Sequence, residues 1–282
     1  MKNLLLISII AIFLISCEKE NTDDSITLLE KFDFNYLDET PLNQNNRYIH
    51  GKTLLKEPFV EIGYENSQPE KLIGGVISLP SATGYSYQTS SLVYKNIEYN
   101  NSIVNITENI QSNDLDLNPI LEGKCQLFYE NNILKKRINE NIKTTLLDND
   151  TTYYSYDANN RITEAIVYQY DQKTINTFKF NTNKNLQRVD FKTQRLSDSQ
   201  IISEGFHQFS DFDKAVNLFS NLGIFNNLYF RSLSNNNYRK YHFEKKEFNT
   251  DLSPVGIQIS SKTLEWTIDY DEKGLPIYTT PF

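Results

Sequence analysis

The feature that most constrains this chain is a short spacing that keeps returning. It runs apolar or aromatic residue, any residue, aromatic residue, polar turn, aliphatic residue. The clearest copy is Tyr154-Ser155-Tyr156-Asp157-Ala158-Asn159-Asn160-Arg161-Ile162. Tyr154 and Tyr156 are two apart, so in a strand they share one face. Asp157 to Asn160 supply turn chemistry, because Asp and Asn bond their own main chain and tolerate left-handed backbone angles. On the returning strand, strict alternation puts Ile162, Ile166, Tyr168 and Tyr170 on one face, with Glu164 as the odd member. A second copy runs from Phe178-Lys179-Phe180-Asn181 to Lys184-Asn185-Leu186, and a third from Ile268-Asp269-Tyr270-Asp271 to Gly274-Leu275-Pro276. Ile62-Gly63-Tyr64-Glu65, Ile97-Glu98-Tyr99-Asn100 and Leu127-Phe128-Tyr129-Glu130 are weaker relatives. Each copy reads as a hairpin, and hairpins that recur along a chain stack on their neighbours. The expected fold is mainly β, an antiparallel β-hairpin meander. The 18 Tyr and 17 Phe agree, since aromatic residues favour strands.

At these residues the chain resembles the YD repeats of Rhs-type and teneurin-like proteins, and the YD-bearing lipoproteins of Bacteroidetes-type envelopes. Their motif is Tyr-x-Tyr-Asp, two residues, Gly, Arg, an aliphatic. Tyr154, Tyr156, Asp157, Arg161 and Ile162 match it, with Asn160 in the glycine position. Tyr270, Asp271 and Gly274 match in the last copy, where Leu275 and Pro276 replace Arg and the aliphatic. The resemblance covers a third of the chain. It implies a β architecture in a cell envelope and implies no reaction. The irregular spacing of the copies argues against a large closed shell.

One segment breaks the pattern. Between Asp211 and Gly223, apolar residues fall at Phe212, Ala215, Val216, Phe219 and Leu222. That is helical spacing, with an Asp to cap the start and Gly223 to end it, so one short helix is expected near 211–222. Gly74-Gly75 and 80–84 read as turns or an insertion loop. A soft domain boundary is expected near 111–120, around Asn113, Asp114, Asp116 and Pro119.

The first residues carry an address. Leu4 to Ile15 is apolar apart from Ser8 and follows Lys2. It is too short to span a bilayer, which takes roughly 20 residues, but suits a signal-peptide core of about 7–15. It ends in Leu14-Ile15-Ser16-Cys17, which resembles the lipobox of bacterial lipoproteins. That resemblance implies cleavage before Cys17 and two or three acyl chains on it, enough for a lasting anchor. Residues 1–16 are then a signal peptide, 17–27 a flexible acidic tether, and 28–282 the β-rich domain. The acidic run after Cys17 also resembles export signals of Bacteroidetes-type surface lipoproteins. The same run equally suits a solvated linker, so the expected location is the outer membrane, facing either the cell surface or the periplasm.

Little in the sequence points to chemistry. The net charge is −8 with no basic cluster, which speaks against a nucleic-acid partner. Once Cys17 is acylated, Cys125 is the only thiol, so no intrachain disulfide forms. Cys125 sits in a strand-like run and reads as a small buried residue. His50, His207 and His242 show no metal-ligand spacing, and no metal or cofactor is expected. Asp269 to Gly274 begins like a calcium loop, but puts Lys273 where a ligand oxygen belongs and Thr280 in place of the bidentate Glu. The pairs Asp114/Asp116, Asp148/Asp150 and Asp211/Asp213 read as solvated or capping carboxylates. Tyr85, Tyr87, Tyr94 and Tyr99 suit either ordinary strand faces or a platform for sugar rings or a protein. The expected protein is therefore a non-enzymatic, lipid-anchored binding module with a glycan or protein ligand. An envelope scaffold that shields lipid is the first alternative, and a glycan-active hydrolase the second.

Overall fold

The computed structural model describes residues 27–36, 59–81, 84–111, 119–142, 149–248 and 257–279, with side chains except at 35 and 76–89. The strands are β1 (Lys31–Asp33), β2 (Phe59–Glu65), β3 (Gln68–Ser81), β4 (Gly84–Asn100), β5 (Ile103–Ile110), β6 (Ile120–Glu130), β7 (Ile133–Asn141) and β8 (Asp150–Tyr156). They continue with β9 (Ile162–Gln169), β10 (Gln172–Phe180), β11 (Leu186–Arg195), β12 (Ile201–Phe212), β13 (Tyr238–Glu247), β14 (Gln258–Glu265), β15 (Asp269–Tyr270) and β16 (Pro276–Ile277). β1 to β14 form one antiparallel sheet in strict sequence order, and β15–β16 make a separate hairpin. β5 and β6, which lie on either side of the stretch near 111–120, pair directly with each other.

The repeat read from sequence is one structural unit. Tyr64↔Pro69, Tyr99↔Val104, Tyr129↔Leu134, Tyr156↔Ile162, Phe180↔Leu186 and Tyr270↔Pro276 are all cross-strand partners. The residue two before each aromatic (Ile62, Ile97, Leu127, Tyr154, Phe178, Ile268) is buried. Three turns are the same five-residue loop. Asp157, Asn181 and Asp271 each accept two backbone N–H groups in their side-chain oxygen, from the residues two and four further on. The fourth residue of each loop, Asn160, Lys184 or Gly274, has positive φ. The other three turns are tighter, with positive φ at Asn66 and Ser67, at Asn101, and at Asn131 and Asn132, as two-residue hairpins require.

The aromatic also clamps its neighbour. The Tyr64, Tyr99 and Tyr156 hydroxyls donate to the carbonyls of Leu29, Pro69 and Leu134. Burial pushes the Tyr64 and Tyr99 hydroxyls up to about 12 and also raises Tyr156, so all three keep the proton they donate.

Strict alternation fails on the returning strand. A bulge shifts the register beside Tyr64, Tyr129, Tyr156 and Phe180. The next inward residue is therefore three along rather than two, so Ala165 joins Ile162 in the core. Ile166 instead faces outward with Tyr168, and Tyr170 is an exposed turn residue with positive φ. Bulges also increase local twist, and residues beside the two ends of the sheet come into contact. Phe32 packs on Phe219, Tyr36 on Tyr278 and Trp266, and the Asp33 N–H donates to the Tyr278 carbonyl.

The segment 213–237 between β12 and β13 plugs the inner face of the sheet. Asp211 and Phe212 end β12, so the helix expected from residue 211 starts later, as a 3-10 helix over Leu218–Leu222. Its cap is Asn217, whose side chain accepts from the Phe219 N–H, and Gly223 follows as its C-cap. A one-turn α-helix, α1, spans Tyr229–Ser232. Helix continuity fails because Asn217 also donates to the Arg231 and Ser234 carbonyls, folding the segment back on itself. This plug buries Phe219, Leu222, Phe225 and Leu228 against the inner face of the sheet.

Candidate functional site

The inner face has two halves. Near the hairpin turns it is apolar and covered by the plug, through Tyr154–Tyr229, Phe178–Phe230 and Phe209–Phe230 contacts. Asn183, Asn185 and Leu186 of the Asn181 turn region bond Asn235, Asn236 and Ser234 of the plug. Two buried arginines fasten the plug further. The Arg231 Nε donates to the Tyr36 carbonyl, and its guanidinium lies over the rings of Tyr238 and Trp266 at 4.3 and 4.4 Å. Arg137 comes from the sheet. It donates to the Asn226 side chain and to the carbonyls of Gly223 and Ile224, and faces the Tyr229 ring at 5.3 Å.

Arg137 departs from the repeat. The position three after the returning residue is Leu72, Ala165 or Val189 in the other bulged hairpins, all buried and apolar. In the β6–β7 hairpin it is Arg137, 4% exposed, with its Nε buried and unpartnered. A buried cation is costly unless its protons are matched. Here the partners are two plug carbonyls and the Asn226 side chain, so Arg137 ties the plug to the sheet.

Beyond Arg137, further from the turns, the same inner face turns polar. Ile106, Cys125, Asn139 and Asp150 form one cross-strand row, one step past the row of Val104, Leu127, Arg137 and Thr152. Asn139 Nδ2 lies 3.0 Å from both Asp150 carboxylate oxygens, and the Thr152 hydroxyl is 3.4 Å from one of them. Burial raises the Asp150 carboxyl above the usual range, against those hydrogen bonds and the Arg137 charge. Burial raises the Cys125 thiol too. Lys95 and Glu108 pair across β4 and β5. A cavity of about 330 Å³ opens over these strands, lined by Lys95, Ile106, Glu108, Glu122, Gly123, Lys124, Cys125, Asn139, Glu140, Asn141, Asp150 and the plug residue Asn226.

The residues singled out in the sequence fall differently. Cys17, with 1–16 and nearly all of the tether, lies outside the described residues, as do His50, Asp114, Asp116, Asp148, Thr280 and the side chains of Tyr85 and Tyr87. Asp150 is no solvated turn carboxylate, because it begins β8 and faces the cavity. Asp211 has positive φ and pairs with Arg239. Asp213 accepts from Asn237 and the Tyr270 hydroxyl, tying the plug to the last hairpin. The loop after Asp269 is a turn whose Asp271 oxygen serves its own backbone. His207 packs among Phe191, Phe230, Tyr241 and Phe243, and burial pushes it down to about 4. His242 bonds Thr263. Tyr94 lies under the Lys71 ammonium. No cluster of three metal-ligating side chains occurs among the described residues.

Sequence reading missed the cavity because its members come from five strands and the plug. The one available signal was Arg137, a charge at a repeat position that otherwise takes an apolar residue.

No protein-family model matches the chain, and no curated protein matches it. Among solved structures, a porin-like protein from Bacteroides vulgatus ATCC 8482 is 10% identical, with a TM-score of 0.37 over 72% of this chain and 95% of that chain. A porin-like protein from Bacteroides uniformis ATCC 8492 is 9% identical, with a TM-score of 0.38 over 75% of this chain and 90% of that chain.

Proposed function

We propose that this protein is a lipid-anchored binding module of the outer cell envelope, held by acylated Cys17, with the polar half of the inner face as its ligand surface. The observation that carries the ligand surface is the cavity over Cys125, Asn139 and Asp150. The plug covers the apolar half of the inner face, so the accessible half is polar. That favours a binder of polar ligands over a scaffold that shields acyl chains, because an acyl chain needs apolar walls. Among the described residues that line the cavity, Ile106 is the only aliphatic one. The anchor reading rests on the lipobox-like run ending at Cys17.

The test uses intact cells. The native chain should incorporate an alkyne-tagged fatty acid and be shaved by external protease. Cys17→Ala should lose the label and leave the membrane fraction. Retention and labelling of Cys17→Ala would overturn the anchor. Protection of the native chain until the outer membrane is broken would overturn its outward orientation.

A further inference from the structure

We infer that the inner-face cavity binds an uncharged disaccharide, gripped between the Asn139–Asp150 pair of the sheet and Asn226 of the plug. The inference deepens the binding-module reading and rests on it.

Size comes first. About 330 Å³ is the volume of roughly ten waters at about 30 Å³ each. It lies at the small end of ligand pockets, which run about 300–1,000 Å³. That suits a small sugar and is too little for a folded partner.

Charge comes next. Among the described residues, four carboxylates line the cavity against two ammonium groups, Lys95 and Lys124. Lys95 is already paired with Glu108. Phosphate, sulfate or uronate groups would therefore enter a surplus of like charge.

Hydrogen bonding then selects among uncharged ligands. A sugar hydroxyl is both donor and acceptor, so it needs both kinds of group at close spacing. Asp150 is an acceptor held in place by Asn139 and Thr152. Asn226 has its carbonyl oxygen engaged by Arg137, so its amide nitrogen is the donor that it offers. These groups are held before any ligand arrives, which lowers the ordering cost of binding. The raised Asp150 carboxyl fits a site that a polar, uncharged ligand would complete.

Arg137 links the two walls. It stands in the row beneath Cys125 and Asp150, and its hydrogen bonds fix Asn226. That gives the buried charge at a repeat position a use: it sets the plug wall of the cavity against the sheet wall.

The experiment uses the full-length lipoprotein in detergent, in which Cys125 is the only free thiol when Cys17 is acylated. Isothermal titration is run with maltose, cellobiose and N,N′-diacetylchitobiose, and with glucuronate, spermidine and octanoate as competing chemistries. At least one neutral disaccharide should bind, and Asn139→Ala and Asp150→Ala should each weaken it tenfold or more. Asp190→Ala, a change in an outer-face ion pair, should leave it unchanged. The same disaccharide should slow maleimide labelling of Cys125 in the unaltered protein, a readout that needs no variant to fold. No binding or protection by any of the three disaccharides overturns the inference, as does binding by glucuronate, spermidine or octanoate alone. Neither result bears on Cys17 anchoring, which is read by fractionation.

Discussion

Two halves of one sheet face, two to four residues apart along a strand, have opposite characters. Leu127 and Tyr154 lie in the half that the plug covers, whereas Cys125 and Asp150 lie in the half that it leaves open. Alternation along a strand decides only which face a residue takes. What lies over that face decides how far from water it ends up. The plug packs its apolar side chains where the strands present apolar rows, and one plug residue, Asn226, reaches the wall of the polar half. Arg137 sits on the border and belongs to both halves, as a sheet residue whose hydrogen bonds are all to the plug.

The comparison breaks most directly at Phe219, whose ring packs against Phe32, Tyr36 and Tyr278. Phe219→Ala should cost about 3–5 kcal/mol in urea denaturation, in the range for buried aromatic truncations. Cys125→Ala, in the open half, should stay within about 1 kcal/mol. Similar losses at both would mean that the open half carries as much of the stability as the covered one.

A smaller effect depends on acidity. His207 titrates near 4 when folded, against an ordinary 6.5. Between those values the unfolded chain binds the extra proton, so stability falls as pH drops through that window. The loss should reach about 3 kcal/mol by pH 4, at about 1.4 kcal/mol per pH unit. His207→Gln should remove that part of the slope in thermal melts between pH 6.5 and 4. An unchanged slope would place the sensitivity elsewhere.

The smallest effect should have the opposite sign. Burial raises the Asp150 carboxyl, so the folded state disfavours its charge, and stability falls as pH rises through the folded value. Asp150→Asn keeps the shape without the charge and should melt slightly higher at pH 7. A lower melting temperature would show that the ionised carboxylate is a net stabiliser.

Much of this was readable from the chain. Tyr154-x-Tyr156-Asp157 and its relatives give the strand ends, the turns and their sequential order, because turn chemistry and pairing are local. The bulges were not readable. Nothing in Ile162-Thr163-Glu164-Ala165 announces that Thr163 is the extra residue, and that shift carries Ile166 to the outer face. The plug was half readable. Phe219 and Leu222 were marked as apolar at helical spacing, but the hydrogen bonds of Asn217 that break a long helix join residues up to 17 apart in sequence. The cavity left only Arg137 as a trace in the sequence, since its walls meet only after the chain has folded.

Strict sequential order also bears on how the molecule assembles. Each strand of the large sheet pairs with the one made just before it. Pairing can therefore advance from one end as the chain emerges, with little entropy lost to closing long loops. Two events cannot advance that way. Phe32 must wait for Phe219, and Asp33 for Tyr278. The ring of contacts between the two ends is thus the final step, available only to a complete chain. A chain halted after β12 would hold most of its sheet with its greasy interior uncovered, a form that quality-control proteases could recognise and remove.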